Sequence, residues 1–202
     1  IAFYNVRGKE RVYASSSSLL IKTLANGGSE SYRGSAPLNL ISGPGLVVST
    51  VNNEGMVLRS QKNMENMVRQ LNLCTMYSYK TKVSRRNTDL YKDSPVAVSF
   101  PELDENGGAS FSVKPLNKEY VLLDDFGGSI PSMKVKLNDT VISPVGKLVV
   151  SPTWKYDEFI NTAIMVRHYP LKSIAASYRA RIDISRDSER NALLRLTLRD
   201  NS

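Results

Sequence analysis

Apolar and polar positions alternate over much of this chain, and the alternation predicts short strands. Residues 12–21 pass from four serines into an apolar end, and residues 76–83 and 163–167 are strand-like stretches. Residues 181–185 and 193–199 carry a charged or polar side chain at every second position. A period of two residues is typical of a strand with one buried face. These five segments are therefore predicted to be strands.

The middle of the chain predicts a denser run of strands. Apolar alternation between residues 96 and 151 is interrupted by turn-forming segments at 104–108, 124–128 and 138–139. Asp, Asn and Gly at regular short intervals are typical of antiparallel strands joined by tight turns. Residues 96–151 are therefore predicted to form a small sandwich or a barrel-like piece.

Two regions follow the helical period instead. Residues 50–71 and 170–180 each place apolar side chains at i, i+3, i+4 and i+7. The first stripe is Met64, Met67, Val68 and Leu71, and the second is Leu171, Ile174, Ala175 and Tyr178. Gly55 and the step at Arg59-Ser60 could each divide the first region into two helices, and Pro170 suits the start of the second region. Residues 25–46 are rich in Gly and Pro and predict a long loop.

Composition limits the classes of protein that remain. The chain has 202 residues, is 41% hydrophobic and carries 27 basic against 19 acidic side chains, a net charge of +8. Residues 93–150 hold eight acidic and five basic groups. A nucleic-acid-binding protein more often shows a basic stripe with interleaved aromatic residues, so no nucleic-acid partner is predicted. No apolar run approaches the ~18 residues that span a bilayer, and we expect no membrane crossing within this stretch.

The chemistry-bearing residues predict no active site. One Cys and one His exclude a disulfide framework, a cysteine zinc site and a multi-histidine metal site within one chain. We expect Cys74 to be inert and His168 to be a packing residue. Asp125-Phe126-Gly127 matches the metal-binding triplet of kinases, but the other kinase motifs are absent, which favours a hairpin turn. No catalytic residue, cofactor or metal is therefore predicted.

Two alternatives remain open at this point. Trp154 and Tyr156 could form a stacking platform for sugar rings, which would make the β-rich lobe a carbohydrate-binding module of a cell-surface glycan system. The acidic pairs at 102–105 and 124–125 could serve a glycan hydrolase. Exposed, coplanar rings would favour the first, and carboxylates on separated turns with no shared cleft would count against the second.

The ordered series of segments carries a resemblance that no single motif does. The segments are YASSSSLLI at 13–21, VNNEGMVLRS at 51–60, MVRQLNL at 67–73, YSY at 77–79, LYKDSPVAV at 90–98, IDISRDS at 182–188 and LLRLTLRD at 193–200. Their order resembles the periplasmic part of a Wzz-type chain-length determinant, in the polysaccharide co-polymerase family. It is most similar to the versions fused to cytoplasmic tyrosine-protein kinases in exopolysaccharide synthesis of Bacteroides-like bacteria.

The resemblance implies a location and a function. Such proteins have two transmembrane helices flanking a periplasmic domain, form rings of identical subunits and regulate the length of a growing glycan. Implied partners are further copies of the chain, the polysaccharide polymerase, the outer-membrane export protein and the nascent glycan. The expected location is the periplasmic side of the bacterial inner membrane. The start at Ile1 and the end at Ser202 fit a piece of such a protein.

These inferences combine into one expected architecture. The fold class is α+β, with a mixed β-sheet covered by helices and a β-rich inserted lobe. Residues 1–99 and 161–202 would form the membrane-proximal co-polymerase domain, and residues 100–160 the insertion. The two ends of the chain should lie close together. Candidate subunit or glycan contacts are Arg59, Arg69, Arg85, Trp154 and Tyr156.

Overall fold

The chain divides into two compact units. The computed structural model describes residues 12–20, 53–80, 87–128, 130–186 and 193–201. One unit comprises Ile1–Met67 with Ala175–Ser202, and the other comprises Val68–Ile174. The predicted loop at 25–46 lies outside the described residues.

Short strands dominate the part of the chain that the structure describes. They are β1 (Val12–Leu20), β2 (Thr75–Lys80), β3 (Asn87–Asp89), β4 (Val96–Ser99), β5 (Ala109–Pro115), β6 (Tyr120–Asp124), β7 (Met133–Lys136), β8 (Thr140–Ser143), β9 (Gly146–Pro152), β10 (Ile164–His168), β11 (Ile182–Arg186) and β12 (Leu193–Asn201). The helices are α1 (Gln61–Gln70) and α2 (Leu171–Arg181), with a helical stretch at 53–58 and 3₁₀ turns at Tyr91–Asp93 and Tyr156–Phe159. The strands and turns predicted from alternation are confirmed where the structure describes them. Residue 21 and residues 81–83 of the predicted strands lie outside the described residues.

The first unit contains a three-stranded antiparallel sheet in the order β1-β12-β11. Leu194, Leu196 and Leu198 of β12 share one face, because side chains two residues apart point to the same side of a strand. On that face, Ile184 of β11 pairs with Leu196. The helical stretch at 53–58 approaches this face at Gly55, where a Cβ would lie 3.7 Å from Ile184 Cγ2 and 3.9 Å from Leu194 Cδ1. The opposite face carries Arg195 and Arg199, both exposed.

The second unit contains two antiparallel sheets that share one apolar core. The larger has the order β3-β2-β10-β5-β6-β7 and the smaller β4-β9-β8. Alternate residues of β5 are buried, as expected for a strand with one face against a core. The core draws on both sheets: Phe111, Val113, Val121, Leu123, Ile164 and Val166 from the larger, and Val96, Val98, Leu148 and Val150 from the smaller. This is the arrangement of a β-sandwich.

A tyrosine ties the two sheets of the sandwich together. The Tyr77 hydroxyl on β2 accepts a hydrogen bond of 2.8 Å from the backbone N–H of Val98 on β4. Burial raises the pKa of Tyr77, although this hydrogen bond acts in the opposite direction. The hydroxyl therefore stays protonated at neutral pH and satisfies a backbone group between the sheets.

Helix α1 has defined signals at both ends. The Ser60 hydroxyl accepts a 3.4 Å hydrogen bond from the Asn63 N–H, so the predicted break at Arg59-Ser60 is an N-cap. At the other end, Asn72 has a φ of 52° and the N–H of Leu73 donates to the Val68 carbonyl at 3.0 Å. This is a Schellman motif with Asn in the left-handed position. Because the helix ends there, Leu71 is exposed although it continues the predicted stripe.

The predicted fold class is wrong. Over the described residues the fold is β-rich with three antiparallel sheets, whereas the sequence predicts an α+β fold with one mixed, helix-covered sheet. The predicted strands near 76–83 and 163–167 pair in the sandwich, not with β1, β11 and β12. Alternation indicates which residues form strands, but packing between strands decides which of them pair.

The boundaries between the two units also differ from the predicted domain boundaries. β2 and β10, expected in the co-polymerase domain, hydrogen-bond within the same sheet as β5, β6 and β7 of the expected insertion. None of the helices that the structure describes combines the length and the apolar character needed to cross a bilayer.

Phe111 tests the shared core. Its ring is fully buried, stacks on Phe126 with centroids 5.1 Å apart and meets Phe100 edge-on at 6.2 Å. We expect Phe111→Ala to lower the free energy of unfolding by about 3–5 kcal/mol, because it removes a large apolar side chain and leaves a cavity. Chemical denaturation measures the change.

Ile142→Ala is the matched control, because Ile142 on β8 is 75% exposed. This variant should change the free energy of unfolding by no more than about 0.5 kcal/mol. Equal effects of the two substitutions would contradict a core built around Phe111.

Candidate functional site

Most of the carboxylates considered for hydrolysis form structural contacts within the chain. Glu102 forms an ion pair with Lys147, and an Asp104 carboxylate oxygen accepts the Asn106 N–H at 2.7 Å. An Asp124 carboxylate oxygen likewise accepts the N–H of Asp125 at 2.8 Å. The acidic residues at 102–105 lie in the turn before β5, whereas Asp124 is the last residue of β6 and Asp125 follows it. Over the described ranges, no three of His, Cys, Asp and Glu come together as metal ligands.

Arg69 is held by an ion pair within the chain. Its Nε and a terminal guanidinium nitrogen donate to the two Glu105 carboxylate oxygens at 2.9 and 3.0 Å. The hydrogen bond from Arg69 is the main cause of the lowered pKa of Glu105. Both side chains are about half exposed to water, where such a pair is worth little in stability. The pair connects the C-terminal turn of α1 to the turn before β5.

Cys74 and His168 lie at the end of the β2–β10 ladder. Burial raises the pKa of the Cys74 thiol, Glu105 raises it further and Arg69 opposes the rise, so the thiol stays protonated and poorly nucleophilic. His168 Nδ1 lies 2.8 Å from the Thr75 hydroxyl, and its ring packs on Phe100 with centroids 4.8 Å apart. This arrangement favours a packing role for His168.

The predicted stacking platform separates into two different environments. Trp154 is 74% exposed, whereas Tyr156 is 5% exposed and its hydroxyl donates to the Asn117 carbonyl at 2.8 Å. Tyr156 belongs to the core and cannot share a surface with Trp154. Arg59 is exposed in the first unit, and Arg85 lies outside the described residues.

A surface that sequence reasoning missed lies in the first unit. We define the apolar corner as Leu19, Leu20, Met56 and Val57, all exposed. Leu19 is the register partner of Leu194, and Leu194 also touches the position of Gly55, directly before Met56. Leu19 therefore lies on the same face as Leu194, the face that the helical stretch at 53–58 approaches, whereas Leu20 points to the opposite face. The end of β1 carries an exposed apolar side chain on each face. The sequence feature that could have indicated this surface is the apolar run that follows the four serines, because it departs from strict alternation.

The apolar corner adjoins a sheet edge that no other described strand covers. Among the strands that the structure describes, β1 is outermost in its sheet, and residues 14–20 are all exposed. An edge strand presents N–H and C=O groups that can pair with another strand, and proteins usually block such edges with charge or proline. Residues 14–20 contain neither. The edge of β1 and the apolar corner together form the candidate interaction surface of this unit.

Comparison of the sequence with protein-family models and with curated proteins finds no match.

The single histidine offers a direct test of its surroundings. Because burial disfavours the imidazolium, the pKa of His168 is lowered from its usual 6.5. An NMR titration should therefore show the His168 ring midpoint below 6.5. As pH falls below 6.5 the unfolded state takes up a proton first, so stability should decline until the folded-state pKa is reached.

His168→Gln is the control for this pH dependence. It should flatten the decline in the free energy of unfolding that the native protein shows as pH falls below 6.5. A midpoint at or above 6.5 in the folded protein would contradict the buried, neutral ring.

Proposed function

We propose that the chain is the periplasmic scaffold domain of a polysaccharide co-polymerase, which regulates glycan chain length by contacts between identical subunits at the inner membrane. The ordered segments that resemble Wzz-type proteins support this family. The domain itself would supply no catalytic group. Catalysis and export would belong to its partners, the polymerase and the outer-membrane export protein.

The pairing of β1 with β12 is the observation that carries the proposal. The two strands run antiparallel from Val12 opposite Asn201 to Leu20 opposite Leu193. The start of β1 and the end of β12 therefore lie side by side at the same end of the sheet. A domain held between two membrane helices needs such an arrangement, because both connections must reach the same bilayer.

The candidate interaction surface supports contacts between copies. Exposed apolar side chains next to an open strand edge are typical of a surface that pairs with another protein. The four-residue corner is small, so each contact is weak by itself. Anchoring in a membrane raises the local concentration of subunits and allows weak lateral contacts to add up.

The isolated chain should therefore associate weakly. At micromolar concentration we expect sedimentation velocity to show a monomer or a weak oligomer, because the tether that concentrates the subunits is absent. A stable ring formed by this chain alone would contradict the proposed dependence on anchoring.

Leu20→Asp tests the function in cells. Leu20 is 62% exposed, so a charge there leaves the fold intact but opposes apolar contact between subunits. In the full-length protein, we expect the variant to shift the length distribution of surface polysaccharide toward that of the gene deletion. Gel electrophoresis of the extracted polysaccharide measures the distribution.

Ile142→Asp is the matched control, since it introduces the same charge at an exposed apolar position of the other unit. It should leave the native length distribution. If deleting the gene leaves glycan length unchanged, the proposed function is wrong. If Leu20→Asp and Ile142→Asp both behave like the native protein, the apolar corner is not the contact.

A further inference from the structure

Two exposed aromatic side chains lie on adjoining loops. Trp154 is 74% exposed and Tyr91 is 66% exposed, whereas the other aromatic rings whose burial the structure describes are partly or fully buried. Tyr91 begins the 3₁₀ turn before β4, and Trp154 follows β9. β4 and β9 are paired neighbours, and their ladder ends with Val96 opposite Pro152. The pairing therefore brings both rings to one end of the smaller sheet.

Hydrogen bonds hold these two loops side by side. The Thr153 N–H donates to the Pro95 carbonyl at 2.9 Å, and the Thr153 hydroxyl donates to the Ser94 carbonyl at 2.6 Å. Lys155 Nζ lies 3.1 Å from an Asp93 carboxylate oxygen and 4.7 Å from the centre of the Trp154 ring. One ammonium group thus connects the indole ring with the carboxylate of the neighbouring loop. We call Tyr91, Asp93, Trp154 and Lys155 the aromatic surface.

Backbone strain at Tyr91 indicates that its position is imposed by the turn. Its φ is 45°, in the left-handed region that a bulky L-residue adopts at a cost of about 1–2 kcal/mol. On one side, Leu90 is buried and its N–H donates to the Tyr77 carbonyl at 2.8 Å. On the other side, the Asp93 N–H closes the turn onto the Leu90 carbonyl at 2.7 Å. Strained residues held in this way concentrate at binding sites.

The charges around the rings favour a neutral ligand. The loops and their contacts carry equal numbers of basic and acidic groups: Lys92, Lys118 and Lys155 against Asp93, Asp157 and Glu158. An anionic polymer or lipid would need an excess of positive charge.

We propose that the aromatic surface binds neutral pyranose units of a glycan. The apolar C–H face of a sugar ring would stack on Trp154 and Tyr91, while its hydroxyls would donate to Asp93 and accept from Lys155. The choice of a glycan rests on the proposed function, whereas the choice of surface rests on its geometry. The site lies in the second unit and does not require self-association through the apolar corner.

Trp154 is the chain's single tryptophan, so its fluorescence reports on this surface alone. Titration with soluble gluco-, galacto- and manno-configured oligosaccharides should shift the emission to shorter wavelength and reduce quenching by acrylamide. Polygalacturonate, a uronic acid polymer, serves as the anionic comparison and should give a smaller change. No response to any neutral oligosaccharide, or a stronger response to the polyanion, would overturn the proposal.

Affinity electrophoresis in gels that contain neutral polysaccharide extends the test to variants without tryptophan. Trp154→Ala should weaken binding by at least about tenfold. Tyr91→Asn should weaken it less and keep the turn folded, because Asn tolerates a positive φ. Ile142→Ala should bind like the native chain. Equal binding by Trp154→Ala and native protein would overturn the site.

The outcomes also separate this inference from the proposed function. Saccharide binding that depends on Trp154, together with an unchanged glycan length after gene deletion, would overturn the length-regulating role and keep the binding site. Control of glycan length without Trp154-dependent saccharide binding would overturn the binding site and keep the length-regulating role.

Discussion

The antiparallel pairing of β1 with β12 is the constraint on which the account of this chain depends. It joins segments from the two ends of the described chain, residues 12–20 and 193–201, in one continuous ladder. Such a long-range pairing closes a large loop at an entropic cost, which the apolar face over Leu194 must offset. The same pairing leaves β1 at the edge of the sheet, where residues 14–20 are exposed.

The second unit has a buried apolar core and exposed aromatic side chains at one end of its smaller sheet. Its two sheets bury a common core around Phe111, and Tyr77 satisfies a backbone N–H between them. Polar groups that were candidates for function form structural hydrogen bonds: Arg69 donates to Glu105, and the Tyr156 hydroxyl donates to the Asn117 carbonyl. On its surface Trp154 and Tyr91 are exposed, on loops that hydrogen bonds from Thr153 hold side by side.

The sequence predicted where most strands and turns lie, but it did not predict which strands pair with one another. The serine run with its apolar end located β1, leucine alternation located β12 and the turn residues located the hairpins. Arg59-Ser60 located the break before α1, whereas the helical stretch at 53–58 continues through Gly55, where a break was also expected. Strand pairing depends on packing between segments distant in sequence, so β2 and β10 were assigned to the wrong sheet. For the same reason Trp154 was linked with its near neighbour Tyr156, whereas its exposed neighbour is Tyr91, more than sixty residues earlier.

The central claim is that copies of the chain meet through the edge of β1. The most direct measurement places a photo-activated crosslinking residue at Ser18 of the full-length protein in native membranes, with the same residue at Ile142 as the comparison. The account predicts crosslinked multimers from position 18 and few from position 142. Absence of multimers at position 18, or equal yields from both positions, would contradict it.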